Sequence, residues 1–134
     1  MPILTQRLRL LSFAGAVSTQ TGTTFELDSA TVTESEFVTL AMNLTTATAG
    51  TLDVAINVSW DKGTTFFPIK KRQSSTTISN LGAFEQITTA TGRYTLVNIP
   101  LPANINAINA VATIATGPYT LTLDAYFSRK AKRV

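Results

Sequence analysis

The 134-residue chain contains no histidine and no cysteine, so few side chains are left that could do chemistry. Disulfides, thiolate metal sites and cysteine nucleophiles are excluded. The usual serine triad and zinc-histidine site are excluded as well, and no side chain titrates unperturbed near neutral pH. General acid-base work would fall to paired carboxylates, for which Asp53 and Asp124 are the candidates. Both occupy outward positions of alternating strands, where a solvated carboxylate is the simpler reading; glycosidase chemistry would also need a cleft and a raised pKa. Asp28, Glu34 and Glu36 could gather hard oxygens around a calcium ion, but nothing there follows the regular D-x-[DN]-x-[DN]-G loop, and solvated loop acids account for them more simply. No glycine-rich segment precedes a lysine and a helix, so a phosphate loop is absent. The expectation is a protein with no catalytic residue, no metal ligand and no cofactor.

Charge offers more than catalysis does. The net charge is +3, yet only 14% of residues are charged, against a usual share of roughly a quarter. Glu26, Asp28, Glu34 and Glu36 form an early acidic region, whereas the bases gather in Arg7 and Arg9, in Lys70, Lys71 and Arg72, and in the tail Arg129, Lys130, Lys132 and Arg133. One molecule thus carries an acidic and a basic region, suited to contact between copies or with a partner of mixed charge. Ordinary solvated charges give the same pattern. The tail "RKAKRV" could neutralise phosphates, but a reader of single strands would interleave aromatics with its bases, and here the aromatics alternate inward. A solubilising or assembly tail is therefore preferred to a nucleic-acid site. Arg7, Arg9, Lys70, Lys71, Arg72, Arg129, Lys130, Lys132 and Arg133 are the candidate assembly contacts.

These residues need a scaffold, and the pattern specifies one. Period-2 alternation runs through nearly the whole chain and helical periodicity through almost none of it. "TLDVAINVSW" places Leu52, Val54, Ile56, Val58 and Trp60 on one face, and "YTLTLDAYF" does the same with Tyr119, Leu121, Leu123, Ala125 and Phe127. "EFVTLAMNL" alternates through Val38, Leu40, Met42 and Leu44. "RYTLVNI" can be read either through Tyr94 and Leu96 or through Val97 and Ile99. Further strands are expected near Ile3–Phe13, Thr23–Leu27, Thr65–Lys70, Phe84–Thr88 and Ala107–Ala115, each bounded by Gly, Pro, Asn or Ser. Threonine, the commonest residue, fills outward positions because its branched Cβ suits a pleated surface.

Eight or nine short strands in a chain of this length predict one all-β domain over residues 1–134: an antiparallel β-sandwich with jelly-roll or Greek-key connections. An N-terminal edge strand or arm (about 1–13) and a short basic tail (128–134) flank it. "RLRLLSFAGAV" imitates a secretory signal, but it is too short, and too interrupted by Arg9 and Ser12, to cross a bilayer, so it reads as the edge strand and no membrane role is expected. "KKRQSSTTISNLG" is the best candidate for a functional loop. The sequons at Asn43 and Asn57 fall inside strands and read as chance in so threonine-rich a chain.

The stretch "VSWDKGTTFF" joins two strands by a tight turn in which Gly63 can take φ > 0, bringing Trp60 back across Phe66. In its longer context, "GTLDVAINVSWDKGTTFFPI" resembles small β-sandwich structural proteins of tailed bacteriophages, where an alternating strand leads into a Ser-x-Asp-Gly-Gly-Thr-Thr-aromatic turn. The resemblance continues in "TGRYTLVNIPLPANINAINAVATI" and "GPYTLTLDAYF", from Gly50 onward. Lys62 replaces the usual glycine, and the strand after "PANINAINA" lacks the expected arginines. The resemblance implies a virion component assembled in the host cytoplasm, foremost a capsid decoration or cement protein. Its partners would be the major capsid protein or other virion proteins, and it would itself form a dimer or trimer. A neck, tail or fibre module is the nearby alternative. A carbohydrate-binding adhesin is the competing class, for which only Tyr126, Phe67 and Phe37 look available as outward aromatics.

Overall fold

The computed structural model describes residues 6–27, 37–72 and 78–128. Within them the chain is all β, with six long strands: β1 (Gln6–Ala16), β4 (Phe37–Ala47), β5 (Gly50–Ser59), β9 (Gly92–Pro100), β10 (Ala107–Thr116) and β11 (Tyr119–Ser128). Five short pieces complete it: β2 (Gln20–Thr21), β3 (Phe25–Glu26), β6 (Phe67–Pro68), β7 (Lys70–Arg72) and β8 (Ile78–Asn80). One sheet runs β1-β11-β4-β9; the other runs β2-β10-β5-β6, with β3 also on β10. All pairings are antiparallel. The first and last strands lie side by side, and from β4 onward each successive long strand changes sheets, which is the order of a jelly roll. The expected sandwich is therefore present.

Alternation explains most of the core. Leu52, Val54, Ile56 and Val58 from β5 meet Val38, Leu40, Met42 and Leu44 from β4 and Tyr119, Leu121, Leu123, Ala125 and Phe127 from β11, all of them buried. β10 adds Ile108, Ala110, Ala112 and Ile114. Bulges break period 2 in several strands, and in β1 and β9 they decide which residues reach the core. In β1 the register slips between Arg9 and Leu11, so the consecutive residues Leu10 and Leu11 both reach the core. In β9 the slip lies opposite Val38 and Leu40: Tyr94 and Leu96 face inward, Val97 is 64% exposed, and Asn98 takes φ +54, which returns Ile99 to the core. The first reading of "RYTLVNI" thus holds for Tyr94 and Leu96, and the second holds for Ile99 but not for Val97, because the strand changes phase within itself.

Other expectations need correction. Phe84–Thr88 is not a strand; it makes isolated bridges, Leu52 to Ile87 and Ala55 to Ala83, along the outer edge of β5. Thr65–Lys70 divides into β6 and the start of β7, and Thr23–Leu27 holds only the two residues of β3. Lys70–Arg72 and Ile78–Asn80, expected inside one long loop, pair as a hairpin instead, while 73–77 lie outside the described residues. Asn109, on the outer side of β10 opposite Asn57, is buried, and among the described residues its Oδ1 has no hydrogen-bond partner; nothing in the structure explains this.

Candidate functional site

β5 ends at Ser59, and the turn that follows is built by two short side chains. The hydroxyl of Ser59 donates to Asp61 Oδ1 at 2.6 Å and accepts from the backbone N–H groups of Asp61 (3.2 Å) and Gly63 (3.0 Å). The same Asp61 oxygen accepts from the N–H of Thr65 at 2.8 Å. Lys62 and Gly63 then take φ +57 and +92, the left-handed pair that reverses the chain. A side chain at Gly63 would also meet Thr24 Cγ2 at 2.8 Å, a second reason for glycine there.

A second loop bolts this turn down. Asn106 accepts from the N–H of Lys62 at 2.8 Å and donates to the carbonyl of Trp60 at 3.0 Å, while its own N–H donates to the carbonyl of Ser59. The indole N–H of Trp60 donates to the carbonyl of Ala103 at 2.9 Å. The indole is therefore fixed by polar bonds rather than by burial, and it stays 45% exposed. Phe67, directly opposite Val58, is 48% exposed and lies 5.8 Å from the Trp60 ring at 59°. The sequence led to Trp60 in the core and Phe66 as its partner. Instead, Trp60 sits one residue past the strand, and the partner is Phe67, because the turn takes up the residues between Ser59 and Phe67.

This pair is a rigid aromatic projection with its polar group already satisfied. What it offers a partner is ring surface, held in place before contact, so little side-chain entropy remains to be lost on binding. The sequence signal that could have found it is the run Ser59, Asp61, Gly63, Thr65, in which alternate residues serve the turn rather than two faces of a strand.

The carboxylate of Asp61 is held below its ordinary value of 3.8, first by the Ser59 hydroxyl and then by the Thr65 N–H. A lowered folded-state pKa gives stabilisation that is present above the unfolded value and lost as pH falls through the folded one. Because Trp60 is the single tryptophan, its fluorescence should stay constant on acidification through pH 4 and change only below the ordinary carboxylate range. In Asp61→Asn that acid step should vanish. A step persisting in the variant would assign it to another group.

The predicted contact residues are distributed as follows. Arg7 and Arg9 are exposed on β1, but Arg9 forms a two-pronged pair with Asp124 across β11: Nε to Oδ1 at 2.9 Å and the guanidinium NH2 to Oδ2 at 3.2 Å. That pair uses the charges of both residues within the chain. Asp53 accepts from Gln86 Nε2 at 3.0 Å and sits on the outer side of the other sheet, so Asp53 and Asp124 do not come together as acid and base. Lys70, Lys71 and Arg72 form β7. Arg129, Lys130, Lys132 and Arg133 lie outside the described residues, as do Asp28, Glu34 and Glu36. Among the described residues there is no group of three or more acids that could hold a metal ion.

Fold and site together define a jelly-roll β-sandwich that presents a fixed aromatic pair at one end. No known protein-family model matches the chain, and no curated protein does. Among solved structures, the crystal structure of the SPBc2 prophage-derived protein YomS is similar at 9% identity and a TM-score of 0.47, over 92% of this chain and 91% of that one.

Proposed function

We propose that the chain is a non-enzymatic virion structural protein, foremost a capsid decoration or cement protein that binds and stabilises a phage head through protein–protein contacts. The observation that carries this reading is the Trp60–Phe67 projection: two aromatics nearly half exposed, with the Trp60 indole held by Ala103 and the turn behind it by Ser59, Asp61 and Asn106. Tryptophan and other large aromatics anchor protein interfaces when they are rigid before contact. A lattice-binding protein multiplies one such modest contact by symmetry. The hairpin that carries the pair is also the segment that resembles phage sandwich proteins. The neutral, threonine-rich surface suits packing against neighbours better than solution steering.

Quantitative mass spectrometry of purified virions tests the proposal. A copy number near that of the major capsid protein is expected. A number that fits one ring or a few fibres would move the protein to the neck, tail or fibres, and absence from particles would end the virion reading.

A carbohydrate-binding adhesin is the second reading, and the exposure of Trp60 favours it more than the sequence did, since the pair could stack on a sugar ring. Titration against cell-wall polysaccharides, followed by Trp60 fluorescence, separates the two. Saturable quenching would support the adhesin.

A further inference from the structure

The two sheets of the sandwich have two open sides, and the chain treats them differently. On the β1 side, residues 20–27 run along the gap. Gly22 donates to the carbonyl of Ala110 and Leu27 to that of Asn106, and Gly22 lies so close to β1 that a Cβ there would fall 1.9 Å from the Leu10 carbonyl. The middle of the β1 edge is thereby covered. On the opposite side, among the described residues, β9 pairs only with β4. The nearby segment 82–87 gives its hydrogen bonds to β5 instead, through Leu52, Val54 and Ile56. Between that segment and β9 lies a groove of about 440 Å³ in which Phe84, Ile87, Tyr94 and Leu96 supply apolar surface beside Glu85 and Gln86.

An unpaired strand edge beside a groove with apolar surface is a template for another strand. The bulge at Val97–Asn98 and Pro100 limit the stretch that can pair to Gly92–Val97. Across an antiparallel pair, residues directly opposite share a face, so a strand meeting its own copy about a two-fold axis can be tested register by register. With Thr95 opposite itself, Tyr94 faces Leu96 twice on the inner side, which joins the two grooves into one apolar seam. On the outer side Arg93 lies opposite Val97, where its aliphatic stem covers a valine that is 64% exposed in the single chain. The stretch is self-complementary about one residue.

We propose that two copies of this chain pair β9 to β9 around a two-fold axis at Thr95, extending the β1-β11-β4-β9 sheet continuously through the dimer. The contact is isologous and uses in each copy the β9 edge, which no strand covers among the described residues, so it closes at two copies instead of growing into a filament. It supplies the copy-to-copy contact for the assembly role proposed above, and its geometry stands independently of that role.

The absence of cysteine gives a clean test. In Thr95→Cys the two thiols would face each other with Cβ atoms about 4.5–5.5 Å apart, so mild oxidation or a very short thiol crosslinker should give a covalent dimer. In Arg93→Cys the two thiols would be separated by four residues along the strand, about 13 Å, and should not be joined. Sedimentation of the native chain should report twice 14.4 kDa. Crosslinking in Thr95→Cys and not in Arg93→Cys supports the pairing. A monomer in solution, equal crosslinking in both variants, or none in Thr95→Cys overturns it. None of these outcomes depends on whether the protein is found in virions, so the two proposals fail separately.

Discussion

Replacing Trp60 with alanine is expected to weaken attachment to capsid shells by about 30-fold or more, the loss typical of a central tryptophan anchor worth about 2 kcal/mol or above. The effect on folding should be much smaller. Trp60 is 45% exposed, and its indole contributes one hydrogen bond, to Ala103, whose net worth is about 1 kcal/mol. The measurement is co-sedimentation of the variant with shells, alongside its thermal melt. Phe67→Ala should follow the same pattern with a smaller loss, because its ring backs that of Trp60 at 5.8 Å. Ser59→Ala is the informative control. It keeps both rings but removes a buried hydroxyl that serves two backbone N–H groups and Asp61, so it should loosen the projection and lower stability together. Attachment unaffected by Trp60→Ala would move the proposed capsid contact away from this end of the sandwich.

The contrast between Trp60 and the residues just before it marks how far the sequence could be read. Leu52, Val54, Ile56 and Val58 alternate and are buried, and the same alternation assigns Trp60 to the core. Periodicity carries no information about where a strand stops, however. Here the stop is set by Ser59 and Asp61, whose side chains take over the backbone N–H groups that a continuing ladder would have used. The fold class was legible because burying one face of each strand imposes period 2 on six long strands. The phase changes at Leu10 and Val97 were not, since a bulge is decided by the partner strand, and the partners of β1 and β9 are distant in sequence. The candidate site was legible as a hairpin and not as a surface. Its exposure depends on the Ala103–Asn106 loop, some forty residues further along the chain, which holds the indole outward.

Phe127→Ala provides the opposite expectation from the same kind of pattern. Phe127 belongs to the alternating set of β11, and here the reading holds: the ring is fully buried, on a strand flanked on both sides by β1 and β4. A central strand cannot shift toward solvent to fill the space, so the loss combines the transfer of the ring with the cavity left behind, about 3–5 kcal/mol. For a domain whose total stability is about 5–15 kcal/mol, that loss should lower the midpoint of thermal unfolding by at least ~10 °C and, at the weaker end, leave a large unfolded fraction at 37 °C. Urea unfolding should show a lower midpoint with an unchanged slope, since the surface exposed on unfolding is nearly the same. Phe127→Leu should cost less than half as much, because most of the volume is kept. A loss below about 1 kcal/mol would mean that Phe127 does not pack between the sheets. The β1-β11-β4 register that delivers Arg9 to Asp124 and holds β9 at the edge would then have to be redrawn.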